Sequence, residues 1–187
     1  MKRICLPMLI VVCLLLSGCG SGGEMKKAYR DFSAELSQAD SLSFTAAVRA
    51  EYEHKTARFT LSYSEDEEGG RVTVLAPELI AGVTANVGPD STSLEYNGVM
   101  LDAGALDNFG LSPMSALPVL VQAMREGSMD SFWAEDGKLA YQLVADDGLI
   151  CTVWFEAEEM LPLRAELICD GRVTVYAEIS DWSSGES

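Results

Sequence analysis

Ser41-Leu42-Ser43-Phe44-Thr45-Ala46-Ala47-Val48-Arg49-Ala50-Glu51-Tyr52 places an apolar residue at every second position. Successive side chains of an extended chain point to opposite faces, so Leu42, Phe44, Ala46, Val48, Ala50 and Tyr52 share one side. Ala57, Phe59, Leu61 and Tyr63 repeat the pattern in the run that follows. A turn at His54-Lys55 sets Ala50 opposite Phe59 and Val48 opposite Leu61, and puts Glu51 opposite Arg58 on the other face. Two long strands, each apolar on one side, form a hairpin that must be covered on that side. The fold is therefore organised around a sheet.

Working outward toward the C-terminus, the same period recurs. A strand near 71–76 ends at Pro77, and another near 82–87 carries Val83, Ala85 and Val87 on one side. Leu94-Glu95-Tyr96 and Val99-Met100-Leu101 flank Asn97-Gly98, the strongest short hairpin signal, because both turn positions favour positive φ. Farther on, Leu139, Tyr141 and Leu143 alternate up to Asp146-Asp147-Gly148. A three-residue loop there, with Gly148 left-handed, sets Leu143 opposite Cys151, Tyr141 opposite Val153 and Leu139 opposite Phe155. A hairpin centred on Met160 pairs Cys151 with Cys169, Val153 with Leu167, Phe155 with Ala165 and, outside, Glu156 with Arg164. Asp170-Gly171 then turns into a strand with Val173, Val175, Ala177 and Ile179, and Trp182 closes the domain.

Two segments have helical spacing instead. Met25, Tyr29, Phe32, Leu36 and Ala39 recur at three and four residues, giving a helix near 24–39 with one apolar stripe. Ser112-Pro113 is a cap followed by a first-turn proline. Met114, Leu117, Leu120, Val121 and Met124 share a face of the helix near 113–126, and Gly127 suits its end. Pro118 calls for a kink or a late start, since proline clashes inside a continuous helix. The expected class is α+β: a long antiparallel meander of about nine to ten strands with two helices available to cover one face.

The N-terminus is a targeting signal. Lys2 and Arg3 precede the uncharged apolar run Ile4–Leu16, which is shorter than a membrane span needs, and Leu16-Ser17-Gly18-Cys19 follows. That tetrapeptide resembles the lipobox of bacterial lipoproteins. The resemblance implies lipidation of Cys19, removal of residues 1–18 and a membrane partner reached through the lipid. Residues 19–23 read as the anchor and a flexible tether, 24–182 as the domain and 183–187 as a polar tail.

In the domain, Leu42-Ser43-Phe44 opens the first strand and Pro77 breaks a later one. Leu94-Glu95-Tyr96-Asn97-Gly98 ends a third, and Leu161-Pro162-Leu163-Arg164 precedes a strand that ends in Asp170-Gly171. In this order they resemble the LolA-like lipoprotein carriers and the LppX-type mycobacterial lipoproteins. The resemblance implies an antiparallel incomplete β-barrel (half-barrel) whose concave face is covered by the two helices, with a cavity for acyl chains. The residues here that would line it are Phe32, Leu36, Phe44, Val48, Phe59, Leu61, Leu117, Leu120, Val121 and Met124. A packed core uses the same apolar residues, so both readings stand at this point, with a lipophilic ligand in one and a structural or protein-interaction lipoprotein in the other. Two departures speak against lipoprotein shuttling. The soluble carrier has an arginine before the equivalent proline, where Ala76 stands here, and this chain is tethered.

Composition excludes several functions. The net charge is −16 and the signal holds no acid, so the rest of the chain is more acidic still. A nucleic-acid partner does not fit, since phosphate-backbone binding needs a basic patch. The acidic run Glu65–Gly70 reads as a solvated turn and not a metal loop. The single histidine, His54, sits in a turn, and neither Gly-x-Ser-x-Gly nor Cys-x-x-Cys occurs. The expectation is a non-enzyme with no catalytic residue, metal or cofactor. Cys151 and Cys169 are the only cysteines beyond Cys19. They are either a cross-strand disulfide or two reduced thiols serving as small apolar residues.

Overall fold

A computed structural model describes residues 21–52, 55–87, 92–104, 112–145 and 148–185. The alternating runs become strands β1 (Ser41–Tyr52), β2 (Lys55–Asp66), β3 (Gly69–Ala76), β4 (Thr84–Val87), β5 (Thr92–Tyr96) and β6 (Val99–Gly104). After a helix come β7 (Ser128–Glu135), β8 (Lys138–Val144), β9 (Ile150–Glu156), β10 (Pro162–Cys169) and β11 (Arg172–Gly185). All lie in one open antiparallel sheet of order β6-β5-β4-β3-β2-β1-β11-β10-β9-β8-β7. Two meanders meet at the β1–β11 seam. Helix α1 (Ser21–Gln38) feeds the seam, and α2 (Pro113–Glu126) lies on the connection from edge strand β6 to edge strand β7. That connection has to cross a face of the sheet, and α2 touches β1, β2, β3, β8 and β10 as it does so.

The expected class holds, with eleven strands among the described residues instead of nine to ten. The uncounted strand is β7. It bulges between Met129 and Ser131, so its inward side chains Met129 and Phe132 are three apart and show no alternation.

Three hairpins turn on Asn97-Gly98, Asp136-Gly137 and Asp170-Gly171, each with positive φ at both positions. Asn and Asp tolerate this backbone and Gly adopts it freely, which is what the two-residue turn requires. The β8–β9 pairing is the expected one, with Leu143 opposite Cys151, Tyr141 opposite Val153 and Leu139 opposite Phe155, and Gly148 has φ +79.

Two other registers differ by two residues. In β1–β2, Tyr52 pairs with Lys55, Val48 with Phe59, Ala46 with Leu61 and Arg49 with Arg58. In β9–β10, Cys151 pairs with Leu167, Val153 with Ala165 and Trp154 with Arg164. Glu156 fixes the second turn by accepting from the backbone N–H groups of Glu158 (2.8 Å) and Glu159 (2.7 Å). A shift of two residues leaves every side chain on its original face, so apolar alternation cannot distinguish such registers.

The domain limits also move. Helix α1 starts at Ser21, so Ser21-Gly22-Gly23 form helix where a tether was expected, and a Cβ at Gly22 would touch the Phe132 ring. The expected tail is partly strand: Ser183, Ser184 and Gly185 pair with Ser43, Leu42 and Ser41. A bulge makes this extension useful. Asp181 (φ 54) is the extra residue opposite Phe44, and beyond Ile179 it switches which residues face inward. Trp182 thereby turns in and stacks on Phe44 at 5.2 Å between ring centroids.

Helix α2 begins where the cap predicts, with Met114 N–H donating to Ser112 Oγ (3.3 Å). It runs unbroken through Pro118. Gly127 ends it at φ −62 and not in a left-handed cap, and glycine is needed there because a Cβ would collide with the Ala123 carbonyl oxygen.

Candidate functional site

The helix-covered face is built from the alternating positions of β1, β2, β3, β8, β9, β10 and β11. Of the ten residues expected to line a cavity, Leu36, Phe44, Val48, Leu61, Leu117, Leu120, Val121 and Met124 are each 2% exposed or less and belong to one apolar cluster. Phe32 and Phe59 are half-buried and pack against it. Side chains with so little accessible surface are packed closely against their neighbours. Tyr29, Phe32, Tyr141 and Phe155 fill the middle, with centroid distances of 4.8 Å for Tyr29–Tyr141 and for Phe32–Phe155.

Polar groups at the rim fasten the helices. Tyr29 Oη donates to the Met124 carbonyl (3.0 Å), Tyr141 Oη to that of Met25 (2.9 Å) and Ser33 Oγ to that of Arg125 (3.0 Å). Arg125 Nη1 meets Glu65 Oε1 at 2.7 Å, Arg125 Nε donates to the Leu36 carbonyl (3.2 Å), and Tyr63 Oη donates to Glu65 Oε2 (2.6 Å). Burial raises the hydroxyl pKa of Tyr29, and burial reinforced by the Glu65 hydrogen bond raises that of Tyr63. Glu65 is therefore a residue of the last part of β2, toward the turn, and part of a clamp from α2 to the sheet, not a solvated turn residue. Sequence reading missed it because its partner, Arg125, lies far away along the chain.

Of the two readings of the cysteine pair, the cross-strand bond is not formed. Both thiols are free: Cys151 faces Leu167, and Cys169 faces Arg172 on the next strand. Burial pushes the Cys151 thiol up to about 12, so it acts as a small apolar core residue. Cys19 and His54 lie outside the described residues. Among the described residues, no group of three or more His, Cys, Asp or Glu side chains could hold a metal.

The opposite face carries an open groove of about 640 Å³. Strand register explains its shape. One row across the sheet runs Ala76–Thr60–Ala47–Glu178–Arg164 and the next Arg58–Arg49–Tyr176–Glu166. Small side chains at Ala76, Thr60 and Ala47 leave a low floor, and the long residues around them, with Pro77, form walls. Of the expected cavity residues, Val48 and Phe59 also border this groove. Arg49 stacks on Tyr176 at 3.9 Å from the ring centroid and Arg164 on Trp154 at 3.8 Å.

No protein-family profile and no curated protein matches the chain. Solved structures do match. An uncharacterized conserved protein from Thermus thermophilus is 11% identical, with a TM-score of 0.50 and 90% of each chain covered. A putative outer membrane lipoprotein-sorting protein domain from Vibrio parahaemolyticus is 11% identical, with a TM-score of 0.49, over 86% of this chain and 91% of that one. A LolA superfamily protein from Nitrosomonas europaea is 11% identical, with a TM-score of 0.42, over 82% and 93%. The matched structures include proteins of the group that the sequence resembles. At this identity the likeness concerns the fold alone.

Proposed function

We propose that the chain is an extracytoplasmic lipoprotein, tethered to the membrane through a lipid on Cys19, that works as a non-catalytic binding domain with a filled interior. The observation that carries this reading is the burial of eight of the ten expected cavity residues to 2% exposure or less in one cluster. Such packing leaves the outer face as the working surface. Native mass spectrometry of the processed protein tests it. The expected mass is the polypeptide plus its covalent lipid; a further acyl ligand held non-covalently contradicts the filled interior. Anchoring has its own test, since Cys19→Ser should abolish incorporation of a fatty-acid analogue, and equal labelling of both proteins contradicts it.

A second reading keeps a lipophilic ligand between helices and sheet. It is favoured by the wholly apolar cluster lying beneath both helices, with half-buried Met25, Met114 and Met129 packed against it. Methionine adapts its shape readily and could yield to a guest.

A further inference from the structure

We infer that the outer groove binds a phosphate ester, held between Arg49 and Arg58. This rests on the reading of the outer face as the working surface.

The argument starts from a cost. Arg49 and Arg58 are direct cross-strand partners, and like charges placed opposite one another destabilise a sheet. The chain has 13 Lys and Arg residues against 29 Asp and Glu, yet three of its arginines (Arg49, Arg58 and Arg164) border this single groove. Three carboxylates stand beside these arginines, but they are unevenly placed. Arg49 Nη1 is 3.4 Å from Glu51 Oε1, while Glu51 Oε2 accepts from Thr56 Oγ1 (2.7 Å). Arg164 Nη2 is 3.6 Å from Glu166 Oε1, and Glu178 sits opposite Arg164. The far end of the groove thus sets two glutamates against one arginine, whereas among the described residues Arg49 and Arg58 share Glu51, so the Arg49–Arg58 end is the place for an anion.

Geometry selects the anion. Stacking on Tyr176 fixes the plane of the Arg49 guanidinium, so its donor fork has a set direction. Arg58 supplies a second fork from the adjacent strand. A carboxylate offers one two-oxygen edge, which satisfies one fork; a phosphate ester offers several and can accept from two. The floor of Ala47, Thr60 and Ala76, bounded by Pro77, takes a compact organic body, and about 640 Å³ lies within the range of small-ligand pockets. Such an ester occurs both in soluble metabolites and in the headgroups of the bilayer to which the proposed tether holds the domain.

The test uses the processed protein in nonionic detergent, following the arginine side-chain Nε–H resonances by NMR. One arm adds sn-glycerol 3-phosphate and the other dopes the micelles with phosphatidylglycerol. Saturable shifts of Arg49 and Arg58 are expected in at least one arm, and the responding arm identifies the source. Arg49→Ala or Arg58→Ala should weaken binding at least tenfold. Ala47→Trp, which fills the floor and keeps both arginines, should also abolish it, whereas Lys27→Ala should not change it. No saturable shift in either arm, or shifts unaltered by the arginine substitutions, overturns the proposal. The native-mass experiment is independent: a non-covalent acyl ligand would retire the filled interior, and a silent groove with a clean mass would retire this site alone.

Discussion

Val48 and Arg49 are neighbours in the chain and belong to different environments. Val48 is 2% exposed under the helices, while Arg49 stands on the open face beside a groove. The same contrast runs the length of β1, β2, β10 and β11. On the inner face, packing dictates residue size, and substitutions are felt as lost burial or overpacking. On the outer face the register alone determines which side chains meet, and it brings together groups that packing would not select. Stability therefore resides mainly on one face, leaving the other open to specialise in recognition.

Substitutions on the inner face should have the largest effect. Leu120→Ala removes a fully buried side chain between α2 and the sheet and should cost about 2–5 kcal/mol in urea unfolding. A loss below about 1 kcal/mol would mean that the site is loosely packed, which would blur the contrast between the faces.

Alkali should weaken the same face. The Cys151 thiol stays protonated in the fold up to about 12, against an ordinary 9.0. Below pH 9 the thiol is neutral in both states and its contribution is complete. Above that the unfolded chain releases a proton that the fold retains, so stability falls by up to about 1.4 kcal/mol per pH unit until pH 12. Buried Tyr29 and Tyr63 act in the same direction at still higher pH. Unfolding measured at pH 7 and pH 10.5 should show the drop, and Cys151→Val should reduce it.

The rim should give an intermediate result. Arg125→Ala breaks the contacts with Glu65 and the Leu36 carbonyl and should cost about 1–3 kcal/mol, with faster hydrogen exchange in α1 and α2. On the outer face, Arg58→Ala should alter stability by no more than about 0.5 kcal/mol in either direction. A larger loss there would show that the groove is structural after all.

The inner face was largely legible in the sequence because it is a matter of period. Leu42, Phe44, Ala46 and Val48 announce a strand and its buried side, and Leu117, Leu120, Val121 and Met124 announce the covering helix. The outer groove was not legible. A turn placed at His54-Lys55 set Arg58 against Glu51, a neutral pair; pairing Tyr52 with Lys55 sets it against Arg49. Both registers bury the same residues, so nothing in the apolar pattern separates them. The same slip of two residues suggested a disulfide between Cys151 and Cys169. Strand β7 was hidden by its bulge, although Asp136-Gly137 marked the turn that follows it. Likewise, the inward turn of Trp182 depends on the bulge at Asp181, which no alternation reports.

Val121→Trp tests the filled interior most directly. Val121 is 1% exposed on the inward side of α2, so the indole has nowhere to go. The account predicts that a fluorescent fatty-acid probe does not bind the unaltered protein and that the substitution overpacks the core, costing about 1–3 kcal/mol. Saturable probe binding by the unaltered protein, abolished by a Val121→Trp variant of undiminished stability, would contradict it.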